Sequence, residues 1–429
     1  MSSKPSVTSA QKRKKFSIAR VIYILVGTAC LLGMTAGFFL SKLAQGEADE
    51  FLQDNLRLSA GITNALISAT TGVATADKPT ERAPGQPLFD MGDYTGYARA
   101  YESWPKGRPF PCFPADGNLS RPKGYLMLTT PVADGCGLFF HRPLKTGSTT
   151  VAGTVMRIAH RKAHLMQGEN KTLACKHRAN HGAAFKVLKF HNRVKQKSFL
   201  FSIIRDPTKR AISQFFHFSV SVHLKDPTDR IFQQELSAPF FNNYYIRDLA
   251  LRQTPTPAKY EQTVKEIIDG YNFIAITERL DESLVVFKML LHLELEDILY
   301  VRERSQGSFS NGPPLTRPCL YVWPSFVTKG MKAFFASKKW ENQVKGDYML
   351  YEAAKKSLDL TIERLGRVRF EGELARFKAA LKTAQEVCGP RAVSMCKEDG
   401  SPAKNTTCYI WGEGCSHACL DEIKVPPEL

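Results

Sequence analysis

Leu138-Phe139-Phe140-His141-Arg142-Pro143-Leu144-Lys145-Thr146-Gly147-Ser148-Thr149-Thr150 is the stretch on which the fold turns. An apolar run ends in a turn of lysine, glycine and hydroxyl residues. A helix-spaced set follows, with Val151, Val155, Ile158 and Ala159 on one face. About sixty residues later the pattern recurs: Phe199-Leu200-Phe201-Ser202-Ile203-Ile204, then Arg205-Asp206-Pro207, then an amphipathic run over 208–219. Each unit reads as strand, turn and helix. Such a junction aims backbone N–H groups and the positive end of a helix dipole at an anion. Two of them suggest two phosphate groups held apart, as in a nucleotide phosphorylated at both its 5′ and 3′ positions.

The rest of the core keeps the alternation. Residues 184–190 and 273–276 read as strands, and 299–301 as a short one. Asp281 caps a helix over 282–292, and 347–365 and 371–387 are helical by period. Strand–helix alternation predicts an α/β fold: a P-loop-like parallel sheet flanked by helices. The turn at Lys145 is not a Walker A loop, because its lysine precedes the only glycine, and no acidic magnesium ligand of Walker B character is evident. A kinase or GTPase is excluded on that ground.

The chain of 429 residues carries a formal net charge of +18, which favours anionic partners. Six of its Lys and Arg residues fall in the first twenty positions, and residues 21–40 then contain no charge. That span is long enough to cross a bilayer, and its basic flank sets a cytosolic N-terminus. The organisation expected is a basic tail (1–20), a transmembrane signal anchor (21–40), a Pro-containing stem (41–105), a catalytic domain (106–387) and a Cys-rich extension (388–429). Five of ten cysteines, Cys388, Cys396, Cys408, Cys415 and Cys419, crowd that extension. Disulfides of an oxidising lumen are the favoured reading; zinc held by Cys415, Cys419 and His417 is the rival. N-x-S/T sequons at Asn118, Asn170 and Asn405 agree with a lumenal domain. That topology disfavours nucleic acid as a partner.

The run Lys145 to Thr150 resembles the 5′-phosphosulfate loop of sulfotransferases, and the run Ile203 to Phe218 resembles their 3′-phosphate segment, an Arg-x7-Ser pattern. Ala275 to Val286 and Tyr348 to Ala354 resemble segments of galactose 3-O-sulfotransferases, a Golgi carbohydrate sulfotransferase family. The resemblance covers roughly residues 135–390. It implies a type II Golgi membrane enzyme that uses 3′-phosphoadenylyl sulfate (PAPS) as donor and a glycan as acceptor, with the 3-hydroxyl of galactose favoured. A uronyl or hexosamine O-sulfotransferase, or a non-catalytic glycan-binding membrane protein, are the alternatives, and a homodimer is left open. By similarity Lys145 contacts the bridging and 5′-phosphate oxygens. Thr146, Gly147, Ser148, Thr149 and Thr150 cradle the 5′-phosphate. Arg205 and Ser213 hold the 3′-phosphate.

In-line transfer at sulfur builds charge on the departing phosphate oxygen, which a lysine and backbone donors can stabilise. The acceptor hydroxyl needs a general base, and the scheme calls for no metal. His191 is the first candidate base, because imidazole has the right intrinsic pKa and a histidine in the corresponding place looks catalytic in hexuronic 2-O-sulfotransferases. His141, His181 and Glu278 are its rivals. The polar stretch 304–312 reads as a loop that closes over the site or as a surface connection. The aromatic run 215–223 reads as core or as a sugar-lining surface.

Overall fold

The computed structural model describes residues 95–111, 135–166, 175, 177–186, 190, 192–252, 256–302, 309–310, 319–408 and 413–425, all within the compact unit 83–429. The apolar span 21–40, most of the stem, Asn118, Asn170, His191 and all of the 304–312 loop except 309–310 lie outside the described residues. Among the described residues no helix is long and apolar enough to cross a membrane.

Strands β1 (Gly137–His141), β2 (His177–Asn180), β3 (Ser198–Ile204) and β4 (Phe273–Ile276) form a parallel sheet in the order β2-β1-β3-β4. Strands β1, β3 and β4 are buried at every position, with apolar side chains directed to both faces, so helices must cover both. Phe140 pairs in register with Phe201 and stacks on it at 4.8 Å, and Phe287 closes over Phe201 at 4.6 Å. On β1, Phe139 and His141 instead meet Phe190, at 5.9 and 5.8 Å between ring centres.

The helices follow in chain order. They are α1 (Ser148–Met166), α2 (Pro207–Gln214), α3 (Asp229–Leu236), α4 (Tyr244–Leu249), α5 (Tyr260–Gly270) and α6 (Leu280–Leu291), then α7 (Lys329–Phe335), α8 (Lys338–Leu365), α9 (Arg367–Cys388) and α10 (His417–Leu420). The α1 face predicted from spacing, Val151, Val155, Ile158 and Ala159, is buried. Several expectations change. Residues 299–301 form no strand, and Asp281 lies inside α6, whose N-cap is Arg279, instead of capping it. The run 208–219 is not one helix: α2 gives way to a π-helical stretch, Phe215–Val222. The described part of the apolar run 184–190 is no strand, since Ala184–Lys186 is a 3-10 turn, and the strand on the outer side of β1 is the polar His177–Asn180. A strand at the sheet's edge does not need a continuous apolar run.

Winding reverses between β1 and β3. From β1 the chain crosses through α1 to β2 on one side, whereas from β3 it passes to β4 on the other. Such a switch point opens a crevice at the C-terminal ends of the two diverging strands. Helix α8 runs beneath this edge. Its N-terminal half holds site-forming segments. Its C-terminal half holds the start of the unit, where Ser357 Oγ accepts from Arg99 N at 3.1 Å and Thr361 Oγ1 from Tyr101 N at 2.9 Å.

All five tail cysteines are in disulfides: Cys388–Cys419, Cys408–Cys415 and Cys319–Cys396. Cys415 and Cys419 belong to different bridges, which removes the zinc alternative. Cys175 is disulfide-bonded as well, while Cys136 keeps a buried thiol that donates to Pro111 O at 3.3 Å. The Asn405 sequon is exposed.

Asp347 on α8 is wholly buried, and its Oδ1 accepts from Tyr245 N at 2.7 Å and Ile246 N at 3.1 Å, capping α4. Burial pushes its carboxyl up to about 7, against the pull of the Arg210 guanidinium. A carboxyl raised on folding stabilises the fold while protonated; that contribution is full below its unfolded value near 4 and is lost as pH rises through the folded value. Asp347→Asn should therefore gain melting temperature relative to wild type as pH is raised from about 4 to about 7. Thermal melts across that range check this; a difference independent of pH would mean the carboxyl is ionised throughout.

Candidate active site

Both strand-to-helix junctions expected to bind anions lie at the C-terminal ends of the diverging strands β1 and β3. At the first, β1 ends at His141 and α1 begins at Ser148. Between them Lys145 and Gly147 have φ of 64° and 73°. Gly147 takes a positive φ at no steric cost, whereas a lysine there costs about 1–2 kcal/mol and must be held. The holding is visible on both sides. Leu144 N donates to Tyr244 Oη at 2.8 Å, and Thr146 O accepts from Thr277 Oγ1 at 2.7 Å. The first turn of α1 contains no acid, so its N-terminal charge is not cancelled locally.

The hydroxyls of this turn divide. Thr146 is fully buried and donates to Pro143 O at 2.9 Å, and Ser148 reaches the same oxygen at 3.5 Å. These two brace the loop. Thr149 and Thr150 are half-buried, and Gly147 is exposed. A Cβ on Gly147 would meet only Thr277 Cγ2, at 3.6 Å, so its openness serves close approach to the backbone.

The second junction is built differently. Asp206 is the N-cap of α2, and its carboxylate accepts from Lys209 N at 2.8 Å and from Tyr348 Oη at 3.1 Å. Tyr348 Oη also lies 2.9 Å from Thr208 Oγ1, which Trp340 Nε1 reaches at 3.2 Å. Burial pushes the Asp206 carboxyl above its ordinary range, partly countered by the Lys209 backbone N–H. The end of α2 is thus occupied by the chain's own carboxylate and offers no open helix terminus, contrary to the expectation for both junctions. What remains for an anion is side chains. Arg205 follows β3, and its backbone is gripped at both ends by Tyr245, whose hydroxyl accepts from Arg205 N at 2.9 Å and donates to Arg205 O at 2.8 Å. Among the described residues neither the Arg205 guanidinium nor the Ser213 hydroxyl has a hydrogen-bond partner, and both are half-buried.

Thr277, the first residue after β4, joins the two junctions. Its Oγ1 lies 2.7 Å from Thr146 O and 3.0 Å from Ile204 O. Glu278 follows it, exposed, with its carboxylate accepting from Asp206 N at 3.2 Å and from Tyr351 Oη at 3.1 Å. Sequence reasoning missed Thr277, Tyr244, Tyr245 and Asp347.

The rival bases separate by exposure. His141 is fully buried between Gly182 O at 2.8 Å and Tyr271 Oη at 3.2 Å, with Asp248 Oδ2 at 3.5 Å. Burial lowers its pKa despite Asp248. It is a core histidine that no acceptor can reach. His181 is exposed, with Nδ1 2.7 Å from Arg142 O. His191 lies outside the described residues. Phe215 and Phe216 are buried against Phe232 and Phe326, so these two belong to the core and not to a sugar-lining surface. Among the described residues no His, Cys, Asp and Glu cluster is arranged to hold a metal ion.

A sequence profile of the galactose-3-O-sulfotransferase family matches residues 161–405, more than half of the chain. The matched span contains Arg205, Ser213, Thr277 and Glu278; the turn Lys145 to Thr150 precedes it. Galactosylceramide sulfotransferase of Bos taurus is 24% identical over 348 residues, which are 70% of this chain and 74% of that protein. The Mus musculus protein of that name is 23% identical over 297 residues (60% and 66%), and the Homo sapiens protein 24% over 233 residues (48% and 51%). The chain belongs to the galactose-3-O-sulfotransferase family and is an enzyme that transfers sulfate.

Proposed function

We propose that the protein transfers the sulfuryl group of PAPS to the 3-hydroxyl of a galactose carried by a glycolipid or glycoprotein. The observation that carries the reading is the pair of unlike anion-binding junctions facing one crevice and tied together by Thr277. The open α1 terminus with Lys145 suits the phosphosulfate, and Arg205 with Ser213 suits the 3′-phosphate. The acceptor oxygen attacks sulfur, the bond from sulfur to the phosphate oxygen breaks, and the acceptor proton passes to a base. Lys145 and the backbone N–H groups of Gly147 to Thr150 stabilise the departing phosphate oxygen. His191 is assigned as the base. Glu278, exposed at the end of β4, is the alternative that the described geometry favours. The disulfides support an oxidising compartment, and the uncharged span after a basic tail supports a type II anchor in the Golgi.

Lys145→Ala should fold and lose turnover by about 10²-fold or more, as loss of a comparable donor does. Steady-state assays with a galactosyl acceptor check this, and unchanged turnover would remove the phosphosulfate assignment. Arg205→Ala should weaken PAPS by about 1.5–3 kcal/mol while sparing an analogue that lacks the 3′-phosphate. Calorimetry on both ligands decides it, since equal weakening places Arg205 elsewhere. His191→Ala should lower kcat by about 10²–10⁴-fold at saturating donor with PAPS affinity retained. Near-normal kcat in that variant, with a large loss in Glu278→Gln, would move the role to Glu278.

A further inference from the structure

The C-terminal tail is packed onto the donor side of the crevice through two buried arginines. Arg157, on α1, is 1% exposed; its Nη2 donates to Leu420 O at 2.9 Å and its Nε to Asp421 Oδ1 at 2.8 Å. Arg142 is the first residue after β1 and stands three positions before Lys145. Its Nη2 lies 2.5 Å from Glu413 Oε1, with Arg142 8% and Glu413 2% exposed. Its backbone is fixed as well, because Arg142 N donates to Asn180 O at 2.8 Å and Arg142 O accepts from His181 Nδ1 at 2.7 Å. Glu413 is bracketed by the Cys408–Cys415 disulfide, and Cys388–Cys419 fastens the same tail to α9.

A buried ion pair adds little net stability, because desolvation offsets most of the attraction. Removing one partner leaves the other charged and buried, which the structure resists strongly. The pair therefore fixes position more than it adds stability. An Arg142 without its carboxylate would be drawn toward water, straining the Asn180 and His181 contacts that hold its backbone at the start of the 143–150 turn.

We propose that Glu413 is a positioning residue for the donor turn: acting through Arg142, it sets where β1 ends and Lys145 begins, and the Cys408–Cys415 bridge keeps it there. This rests on the reading of Lys145 to Thr150 as the phosphosulfate turn. A shift of about 1 Å in that turn is enough to cost up to about 10²-fold.

The test uses the full chain. Glu413→Gln and the double variant Cys408→Ser/Cys415→Ser should each weaken PAPS, and 3′-phosphoadenosine 5′-phosphate by calorimetry, roughly 10- to 100-fold. Acceptor KM should stay near wild type, and Glu413→Asp should recover part of the donor affinity. Arg391→Gln, which removes the exposed pair with Glu422 in the same tail, should change neither. Amide hydrogen exchange over 143–150 should be faster in Glu413→Gln than in wild type. Wild-type donor affinity in Glu413→Gln, or equal losses of donor and acceptor binding with a collapsed melting temperature, would overturn the proposal. If wild type itself binds no 3′-phosphoadenosine 5′-phosphate, the donor-site reading fails. The positioning claim is then decided by exchange alone: faster exchange over 143–150 supports it and unchanged exchange overturns it.

Discussion

Three buried parallel strands end at one edge of the sheet, and their last backbone groups no longer have a ladder partner. A buried backbone polar group left unpaired costs about as much as a lost hydrogen bond, so each must be satisfied from elsewhere. Side chains from α4, α8 and the start of the turn after β4 do this. Thr277 serves Ile204 O and Thr146 O, Tyr245 serves both ends of Arg205, and Tyr244 serves Leu144 N. Asp347 in turn caps the short α4 that carries both tyrosines. The crevice is thus a by-product of ending the sheet. The groups that complete its backbone hydrogen bonds also hold Lys145 at a positive φ and Arg205 at the rim.

The two junctions look alike in sequence and differ in electrostatics. The first leaves the α1 terminus without an acid and gives it a glycine, so backbone donors are available to a ligand. The second fills the α2 terminus with Asp206, whose carboxylate accepts from Lys209 N and Tyr348 Oη while its backbone N–H donates to the Glu278 carboxylate. A doubly phosphorylated nucleotide placed across them would meet mainly main-chain donors at one end and cationic and hydroxyl side chains at the other. Such a site is oriented, because the ends are not interchangeable.

Legibility in the sequence followed locality. Strands β1, β3 and β4 were legible because strands buried on both faces are apolar throughout, and the α1 face because its period is helical. The edge strand His177–Asn180 was not, because its residues are polar apart from Ala179 and read as loop, whereas the opposite edge strand β4 is apolar throughout. Ala184 and Phe190 show the converse: both are buried and read as apolar strand positions, yet Ala184 belongs to a 3-10 turn. Lys145, Arg205 and Ser213 stand in motifs that a reading of the sequence can single out. Thr277, Tyr245 and Asp347 do not, because their partners lie 40 to 131 residues away in sequence and no local pattern encodes such a meeting.

The tail extends the same logic beyond the core. Arg142 leaves β1 toward an interior that offers no water to its guanidinium, so a carboxylate has to be delivered to it. The chain delivers Glu413 from a segment too short and too polar to build a hydrophobic core of its own, and small segments of that kind keep their shape by covalent cross-links. Cys408–Cys415 and Cys388–Cys419 therefore do two things at once. They replace the missing core of the tail, and they convert a flexible acidic residue into a fixed counter-charge at the end of β1. The end of β1 is thereby tied to a cross-linked tail as well as to the sheet.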